Sequence, residues 1–186
     1  MRLVIVSNRV TIPDRHEKVM AGGLAVALRE ALEQRGGLWF GWSGAVSEGA
    51  PTQVRQVEHG NVTYAVTDLS EAERQSYYLG FSNRALWPLM HYRLGLTEFQ
   101  RSDYMGYLGV NRRFARALAG LIKPDDMIWI HDYHLIPLAA ELRRRGITNR
   151  IGYFHHIPWP AAEVISALPF SATLIRTMAA YDLVGM

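Results

Sequence analysis

The sequence predicts an α/β fold in which a Rossmann-like parallel sheet carries helices on both faces. Short apolar runs alternate with longer stretches of helical periodicity, in the order β-α-β and then βαβαβ, which favours parallel strands joined by right-handed crossovers. Three of the apolar runs end directly in polar residues, as strands do where a parallel sheet binds its ligand. The chain has 186 residues, of which 49% are hydrophobic and 20% charged, a composition that supports one core. We therefore expect a single Rossmann-like domain over residues 1–186.

The N-terminal region predicts a strand, a helix and three further strands. An apolar strand over Leu3 to Val6 is followed by a polar loop over residues 11–20. A helix then opens at Ala21-Gly22-Gly23 and ends at Gly36-Gly37, and it places four apolar residues on one face: Leu24, Leu28, Ala31 and Leu32. A strand over Leu38 to Trp42 and a loop over residues 45–51 follow. The region ends with a pair of strands over residues 54–57 and 61–66.

The next region is helical. Ser70 followed by Glu73 resembles a capping box, which predicts a helix through Tyr78. Ser82 has the side chain of a cap for a second helix, and Pro88 should kink or break that helix because proline lacks a backbone N–H.

A long helix and a strand-to-helix unit form the centre of the chain. Helical periodicity extends from Asp103 to Ile122 and ends before Pro124. Met127 to Ile130 is then an apolar strand that leads into a helix with one apolar face, formed by Leu135, Leu138, Ala139 and Leu142. Gly146 is suited to end that helix. The prediction ends with a strand over Ile151 to Phe154, short helices over residues 162–168 and 173–180, and a last strand over Asp182 to Met186.

Composition and charge exclude some functions and limit others. A net charge of +3 and a pI near 9.3 are compatible with anionic small molecules as well as nucleic acid. The sequence has no cysteine, which excludes disulfides and thiolate chemistry. The N-terminal apolar run is too short for a signal peptide or a membrane span, so we expect a cytoplasmic location. Because the sequence stops inside an apolar strand, we expect it to be part of a longer protein.

The candidate site lies where three predicted strands end. Ser7-Asn8-Arg9, the segment His131 to His134, and His155-His156 should converge on one edge of a parallel sheet. The helix that opens at Gly22-Gly23 offers free backbone N–H groups to a phosphate, and Arg9 could add a bidentate guanidinium. Each of these features is weak alone, and their combination indicates a site for a phosphorylated ligand.

The histidines leave two alternatives open. Four histidines and one aspartate are metal-ligand types, namely His131, His134, His155, His156 and Asp132. The competing interpretation, in which a histidine and Asp132 hydrogen-bond substrate hydroxyls, needs less coincidence, and we prefer it. At least one histidine of each pair should point into the core. Aromatic residues are frequent nearby, and Trp42 and Trp87 adjoin loops and could line a sugar pocket, whereas most of the others should be core.

Several blocks of the sequence, taken in order, match one known family. They are Ser7-Asn8-Arg9, Ala21-Gly22-Gly23-Leu24, Trp39 to Gly44, Tyr77-Tyr78, Leu86-Trp87-Pro88, His91-Tyr92-Arg93, Tyr107 to Asn111, Trp129 to Leu135 and His156-Ile157-Pro158. On these blocks the sequence resembles the trehalose-6-phosphate synthase family, from Arg2 to its last residue. The tryptophan-rich and histidine-rich blocks carry the specificity of the match, because a glycine pair alone is common.

The resemblance implies a fold and a reaction. The family has the glycosyltransferase-B fold, two Rossmann-like domains that face each other across a cleft, and this chain would be the N-terminal, acceptor-side domain without the C-terminal nucleotide-sugar domain. The family transfers glucose from UDP-glucose to glucose 6-phosphate with retention, and no cofactor, metal, nucleic acid or membrane partner is implied. A homo-oligomer of the full-length protein is compatible with the family. By itself, the 186-residue chain should be inactive or nearly so.

The resemblance also implies roles for individual residues. The glucose 6-phosphate site would use Arg9 on the phosphate, Trp42, Tyr78 and Trp87 as the pocket wall, and Asp132 on the hydroxyls. The UDP-glucose site would use Gly22, Gly23 and His156, and no protein nucleophile is expected. His156 and Asp132 would orient the substrates. Three alternatives remain: a non-catalytic sugar-phosphate-binding or interaction module, a metal-dependent hydrolase, and a relative that makes a pseudo-disaccharide.

Overall fold

A seven-stranded sheet organises the computed structural model, which describes residues 1–13, 23–49 and 53–186. The strands are β1 Leu3–Arg9, β2 Gly37–Ser47, β3 Arg55–His59, β4 Val62–Ser70, β5 Met127–His131, β6 Ile151–Phe154 and β7 Leu183–Gly185. Their order across the sheet is β3-β4-β2-β1-β5-β6-β7, and within the described residues all neighbours pair in parallel except β3 with β4. The predicted α/β class with a Rossmann-like parallel sheet is confirmed.

Helices cover both faces of the sheet. They are α1 Gly23–Arg35; α2, a continuous helix over residues 71–90 built from Glu71–Glu73, Arg74–Leu86 and Trp87–Met90; α3 Arg101–Ala119; α4 Leu138–Arg143; α5 Ala162–Ser166; and α6 Ser171–Arg176. Short 3₁₀ turns lie at Leu94–Leu96, Tyr133–Leu135 and Thr177–Ala180. No helix in the described ranges is both long and apolar enough to cross a membrane.

The direction of each crossover decides which face a helix covers. The chain moves from β1 to β2 in one direction across the sheet and from β5 through β6 to β7 in the other. Because βαβ crossovers are right-handed, the two directions place their helices on opposite faces. Accordingly, α1 packs Leu28 and Leu32 against one face in a small core, and α2, α3 and α4 pack a larger core on the other face around Phe40, Tyr77 and Phe114.

The helix α2 is longer than the sequence predicts. The capping box is confirmed: the Glu73 N–H donates to Ser70 Oγ over 3.2 Å, and the Ser70 N–H donates to Glu73 Oε2 over 3.0 Å. The helix does not end at Tyr78, however, and Ser82 is not a cap but a fully buried residue within it. Over Arg74–Leu86 the backbone bonds run from i to i+5, so the helix is wound more widely than an α-helix. Pro88 interrupts this bonding, and the helix ends two residues later.

The strand β2 also extends beyond its predicted end. Residues 45–47, which the sequence predicts as part of a loop, rejoin the sheet because Val46 and Ser47 pair with Leu69 and Ser70 of β4. Between Trp42 and Val46 the register is irregular, and there the backbone bulges away from regular pairing. The predicted start of α1 at Ala21 and Gly22 and most of the predicted loop over 11–20 lie outside the described residues. The helix as described begins at Gly23.

Candidate active site

The carboxyl ends of three neighbouring strands lie side by side. Strands β1, β5 and β6 are adjacent and parallel, with Val6 opposite Ile130 and His131 opposite Phe154. The segments that follow these strands therefore come together at one edge of the sheet, as the sequence predicts. This edge presents an arginine, an aspartate and a histidine from three distant parts of the chain: Arg9, Asp132 and His156.

Arg9 lies at the irregular end of β1, beside the bulge in β2. Its guanidinium carbon is 5.9 Å from the centre of the Trp42 ring, a cation–π distance. Gly44 has a φ of +93°, and a Cβ at that position would be 2.6 Å from Arg9 Nε. The glycine therefore lets the backbone bulge while leaving room for the guanidinium. Because Arg9 is exposed and makes none of the ion pairs found among the described residues, its charge is available for an anion.

An aromatic wall continues from Arg9 along the edge. The Tyr78 ring lies edge-on to Trp42 at 5.3 Å and stacks on His134 at 5.9 Å. Trp42 is only 4% exposed and donates its indole N–H to the Ala45 carbonyl over 2.7 Å, so it supports the wall from behind. Tyr77 points into the core, where its hydroxyl donates to Asn8 Oδ1 over 2.8 Å.

Asp132 begins a tight turn directly after β5. It has a φ of +76°, a conformation that is costly for a residue with a side chain. Two hydrogen bonds tie it to β6 and the segment after it: its N–H donates to the Phe154 carbonyl over 2.8 Å, and its Oδ1 accepts the His156 N–H over 3.2 Å. The turn thus holds the carboxylate at the edge between β5 and β6.

Buried polar side chains hold the rest of this turn from below. The Tyr107 hydroxyl donates to the Tyr133 carbonyl over 2.7 Å, and Asn111 Nδ2 donates to the His134 carbonyl over 3.1 Å. The Tyr181 hydroxyl reaches the carbonyls of residues 135 and 136 over 2.9 and 3.1 Å. Four successive carbonyls therefore have side-chain donors, which stabilise the strained conformation above them.

The four histidines of the site are differently placed. His131 Nδ1 lies 2.9 Å from His156 Nε2, whereas His155 Nδ1 lies 2.8 Å from the Tyr153 hydroxyl inside the core. His134 is buried among tyrosine rings. The expectation that at least one histidine of each pair points into the core is confirmed, with His156 the exposed member of the set.

Burial keeps these histidines uncharged at neutral pH. Desolvation lowers the pKa of His131 to about 3, with a further contribution from His156, and lowers the pKa of His134 to about 3. Burial also lowers the pKa values of His155 and His156, although the Asp132 charge opposes this. The edge therefore offers neutral imidazoles that form hydrogen bonds. Within the described ranges no group of three or more His, Cys, Asp and Glu side chains is arranged to hold a metal ion.

Three of the predicted site residues are not joined to this cluster. The ring of Trp87, on the same helix as Tyr78, stacks on His91 at 4.2 Å and is 37% exposed. Gly22 lies outside the described residues, and Gly23 is the first residue of α1. Their roles in the pocket wall and at the nucleotide sugar stay predictions.

Sequence reasoning missed the buried donors beneath the 132–136 turn. One signal was present: Asn111 falls at helical spacing between Tyr107 and Phe114, so an amide interrupts an apolar stripe. A buried amide needs partners, and such an interruption indicates a hydrogen-bonding duty inside the core. Tyr181 carries no comparable signal, because an aromatic residue at a core position is ordinary.

The family model for glycosyltransferase family 20 matches residues 1–186, the whole chain. The chain belongs to glycosyltransferase family 20. The resemblance predicted from the order of the sequence blocks is thereby confirmed. The trehalose-6-phosphate synthase of Sinorhizobium fredii is 56% identical over 186 residues, which are 99% of this chain and 40% of that protein. The chain thus spans about two fifths of the length of the curated relatives that it matches.

Solved structures of this family share the fold over the entire chain. An α,α-trehalose-phosphate synthase from Burkholderia xenovorans, solved with glucose-6-phosphate, is 47% identical with a TM-score of 0.92 and covers 100% of this chain and 40% of its own. An Escherichia coli protein bound with UDP-2-fluoro glucose is 50% identical with a TM-score of 0.91, at 100% and 40% coverage. The predicted N-terminal domain of a glycosyltransferase-B enzyme is confirmed as the fold.

Proposed function

We propose that this member of glycosyltransferase family 20 supplies the acceptor side of an enzyme that moves glucose from UDP-glucose to glucose 6-phosphate, giving trehalose 6-phosphate and UDP. The observation that carries the proposal is the set formed by an exposed arginine, an aromatic wall and a carboxylate at the carboxyl edge of the sheet: Arg9, Trp42, Tyr78 and Asp132. A relative that is 47% identical over the whole chain was solved with glucose-6-phosphate.

Each group in this set suits one part of a sugar phosphate. The free guanidinium of Arg9 can bind two phosphate oxygens at once. The Tyr78 ring, backed by Trp42, gives a flat apolar surface of the kind that sugar faces pack against. The Asp132 carboxylate accepts hydrogen bonds only, so it selects hydroxyl groups that donate. We assign Trp87 to the same wall because it follows Tyr78 along α2.

The donor would lie at the same edge, toward α1 and β6. By the family resemblance, Gly22 and Gly23 would offer backbone N–H groups to the phosphates, and α1 as described begins at Gly23. His156 would offer an imidazole to the glucose. His131 faces His156, and His155 faces Tyr153. The family resemblance implies direct front-face transfer without a protein nucleophile. The acceptor hydroxyl bonds to the anomeric carbon, the bond from that carbon to the UDP oxygen breaks, and the departing phosphate takes the hydroxyl proton.

The remaining features of the proposal concern the whole protein. A second, C-terminal domain would supply most contacts to UDP and the cations that stabilise the departing phosphate. The reaction would take place in the cytoplasm and need no cofactor. The alternative is a non-catalytic sugar-phosphate-binding module, which the same Arg9 cluster would serve because it needs only the binding groups.

Tryptophan fluorescence tests the acceptor site directly, because Trp42 lies next to Arg9. We expect saturable quenching by glucose 6-phosphate, with weaker responses to glucose and inorganic phosphate alone. Arg9→Ala should abolish the response, whereas Arg145→Ala, which removes an exposed arginine after α4, should not. Two results would contradict a preformed acceptor site that uses Arg9: quenching that survives in Arg9→Ala, or no quenching in the unchanged protein. UDP release, measured after this chain is joined to the C-terminal part of a relative, separates the enzyme from the non-catalytic module.

A further inference from the structure

Two stacked histidines share one hydrogen bond at the carboxyl edge. His131 Nδ1 and His156 Nε2 are 2.9 Å apart, and the two rings lie 25° from parallel with their centres 5.2 Å apart. His131 is 1% exposed at the end of β5, whereas His156 is exposed on the segment after β6. The proposed reaction uses His156 and gives His131 no part, so the reason for this pairing is a separate question.

The bond can be made in only two ways. A neutral imidazole carries one N–H, and both rings are neutral at pH 7, because burial lowers the pKa of His131 to about 3 and partial desolvation lowers the pKa of the more exposed His156. Either His131 donates its Nδ1–H to a bare His156 Nε2, or His156 donates its Nε2–H to a bare His131 Nδ1. The first arrangement leaves the His156 proton on Nδ1, and the second leaves the His131 proton on Nε2.

Burial distinguishes the two arrangements. His131 Nε2 is buried and has no hydrogen-bond partner among the residues that the structure describes. A proton there would be a buried N–H without an acceptor, which folded proteins avoid more strictly than a bare lone pair. In the first arrangement that atom carries no proton, and the only remaining N–H belongs to His156, whose side chain is exposed. The first arrangement therefore satisfies both donors.

We propose that His131 is a positioning residue that fixes His156 in the Nδ1–H tautomer, so that His156 presents a hydrogen-bond donor at the edge of the sheet. Asp132 lies beside it as an obligate acceptor, and its Oδ1 accepts the backbone N–H of His156 over 3.2 Å. A ligand at this edge would meet one fixed donor and one fixed acceptor, which orients a hydroxyl-rich molecule. The tautomer is independent of the proposed function. Only the identity of the hydrogen-bond acceptor, an oxygen of the donor sugar, rests on the proposed function.

Imidazole ¹⁵N NMR of the histidine-labelled 186-residue protein, without any ligand, tests the tautomer. We expect the His156 signals, identified by their loss in His156→Gln, to show protonated Nδ1 and bare Nε2 at pH 7. His131→Asn keeps an N–H donor near the position of Nδ1 and should preserve that pattern. His131→Asp has nearly the same shape but offers only an acceptor, so His156 should shift to protonated Nε2 or to the imidazolium.

Two results would overturn the proposal: a His156 that is protonated on Nε2 in the unchanged protein, or the same tautomer in His131→Asn and His131→Asp. If the aspartate variant does not fold, as judged by circular dichroism, His131→Phe replaces it and should release His156 to a mixture of tautomers. Because no sugar is present, failure here leaves the glucose 6-phosphate titration unaffected. Conversely, a failed titration leaves the tautomer result standing.

Discussion

At Arg9 the geometry of the guanidinium, beyond its charge, should decide ligand affinity. A planar fork can bind two phosphate oxygens and lie over the Trp42 ring, whereas a lysine ammonium is a point charge that does neither as well. We expect Arg9→Lys to weaken glucose 6-phosphate binding about tenfold, which corresponds to about 1.4 kcal/mol. The fluorescence titration measures this, with Arg145→Lys as the control. Equal affinity in Arg9→Lys would mean that a general positive field binds the phosphate.

Gly44 connects backbone conformation to the same guanidinium. Its φ of +93° resists any side chain, and an added Cβ would be 2.6 Å from Arg9 Nε. Gly49 offers a matched control, because its φ is +100° and a Cβ there would meet nothing within 4 Å. We expect both alanine variants to lose about 1–2 kcal/mol of stability in urea unfolding. Only Gly44→Ala should also weaken glucose 6-phosphate binding, and a similar loss of binding in both would reject a role for the Arg9 pocket.

Individual site residues could be predicted where local pattern determines their position. Parallel strands bring the ends of apolar runs together, and such runs precede Arg9, Asp132 and His156. The convergence of these three residues was therefore predictable. The buried donors Tyr107 and Tyr181 were not, because their hydroxyls reach carbonyls 26 and 46 residues away. Contacts between residues so far apart in sequence depend on how the helices pack on the sheet, and the spacing of residue types along the chain does not predict that packing.

At the scale of elements, one arginine links α2, α3 and β4. Arg113 of α3 donates through Nε and Nη2 to the two carboxylate oxygens of Glu73, over 2.7 and 2.9 Å, and also contacts Thr67 Oγ1 and the Asp68 carbonyl at 3.0 Å. Both partners of the ion pair are mostly shielded, with side chains 20% and 23% exposed. The contact fixes the start of the helix that carries Tyr78.

Removing this link should destabilise the fold measurably. We expect Arg113→Ala to lower the free energy of unfolding by about 2–3 kcal/mol, because a partly buried carboxylate loses its bidentate partner. Urea denaturation measures the change, and Arg116→Ala, an exposed arginine one turn along α3, should stay within about 0.5 kcal/mol of the unchanged protein. A loss below 1 kcal/mol for Arg113→Ala would show that packing of α2 on α3 suffices without the ion pair.

The helix α2 shows why element boundaries were harder to predict than element types. Ser70 and Glu73 marked its start correctly, since a capping box is a local signal. Ser82 has the side chain of a cap but is buried within a widely wound stretch, because packing of its neighbours Phe81, Ala85 and Leu86 against the core overrides the local preference. The pair formed by β3 and β4 was predicted from the strand patterns at residues 54–57 and 61–66, whereas the return of β2 to the sheet after its bulge was not.

At the scale of the whole molecule, the neutral histidines should make the fold sensitive to acid. Folding lowers the pKa of His131 and His134 from 6.5 to about 3, mainly through burial. Below pH 6.5 the unfolded chain therefore binds protons that the folded chain does not, and the cost of each group approaches about 1.4 kcal/mol of stability per pH unit well below pH 6.5. The loss begins as the pH falls through 6.5 and continues until the folded pKa is reached.

Urea unfolding at pH 7, 6 and 5 tests this dependence. His134→Phe keeps an aromatic ring among the tyrosines and cannot titrate. We therefore expect its stability to fall less, by about 0.7 kcal/mol between pH 7 and 6 and by about 1.2 kcal/mol between pH 6 and 5. His59→Phe, at the exposed end of β3, should leave the slope unchanged. An equal slope in His134→Phe and the unchanged protein would mean that His134 is protonated within the fold.

The domain should bind one substrate without completing the reaction. Among the residues that the structure describes, its carboxyl edge offers the Arg9 guanidinium, the Asp132 carboxylate and neutral histidines. Glycosyl transfer from a nucleotide sugar also needs positive charge at the departing phosphate and closure from the opposite side. We expect a protein of these 186 residues to release no UDP from UDP-glucose and glucose 6-phosphate above the blank. Joining it to the remaining three fifths of the Sinorhizobium fredii relative, which is 56% identical here, should produce release that Arg9→Ala abolishes. Turnover by the 186 residues alone would show instead that one Rossmann-like half holds the whole catalytic machinery.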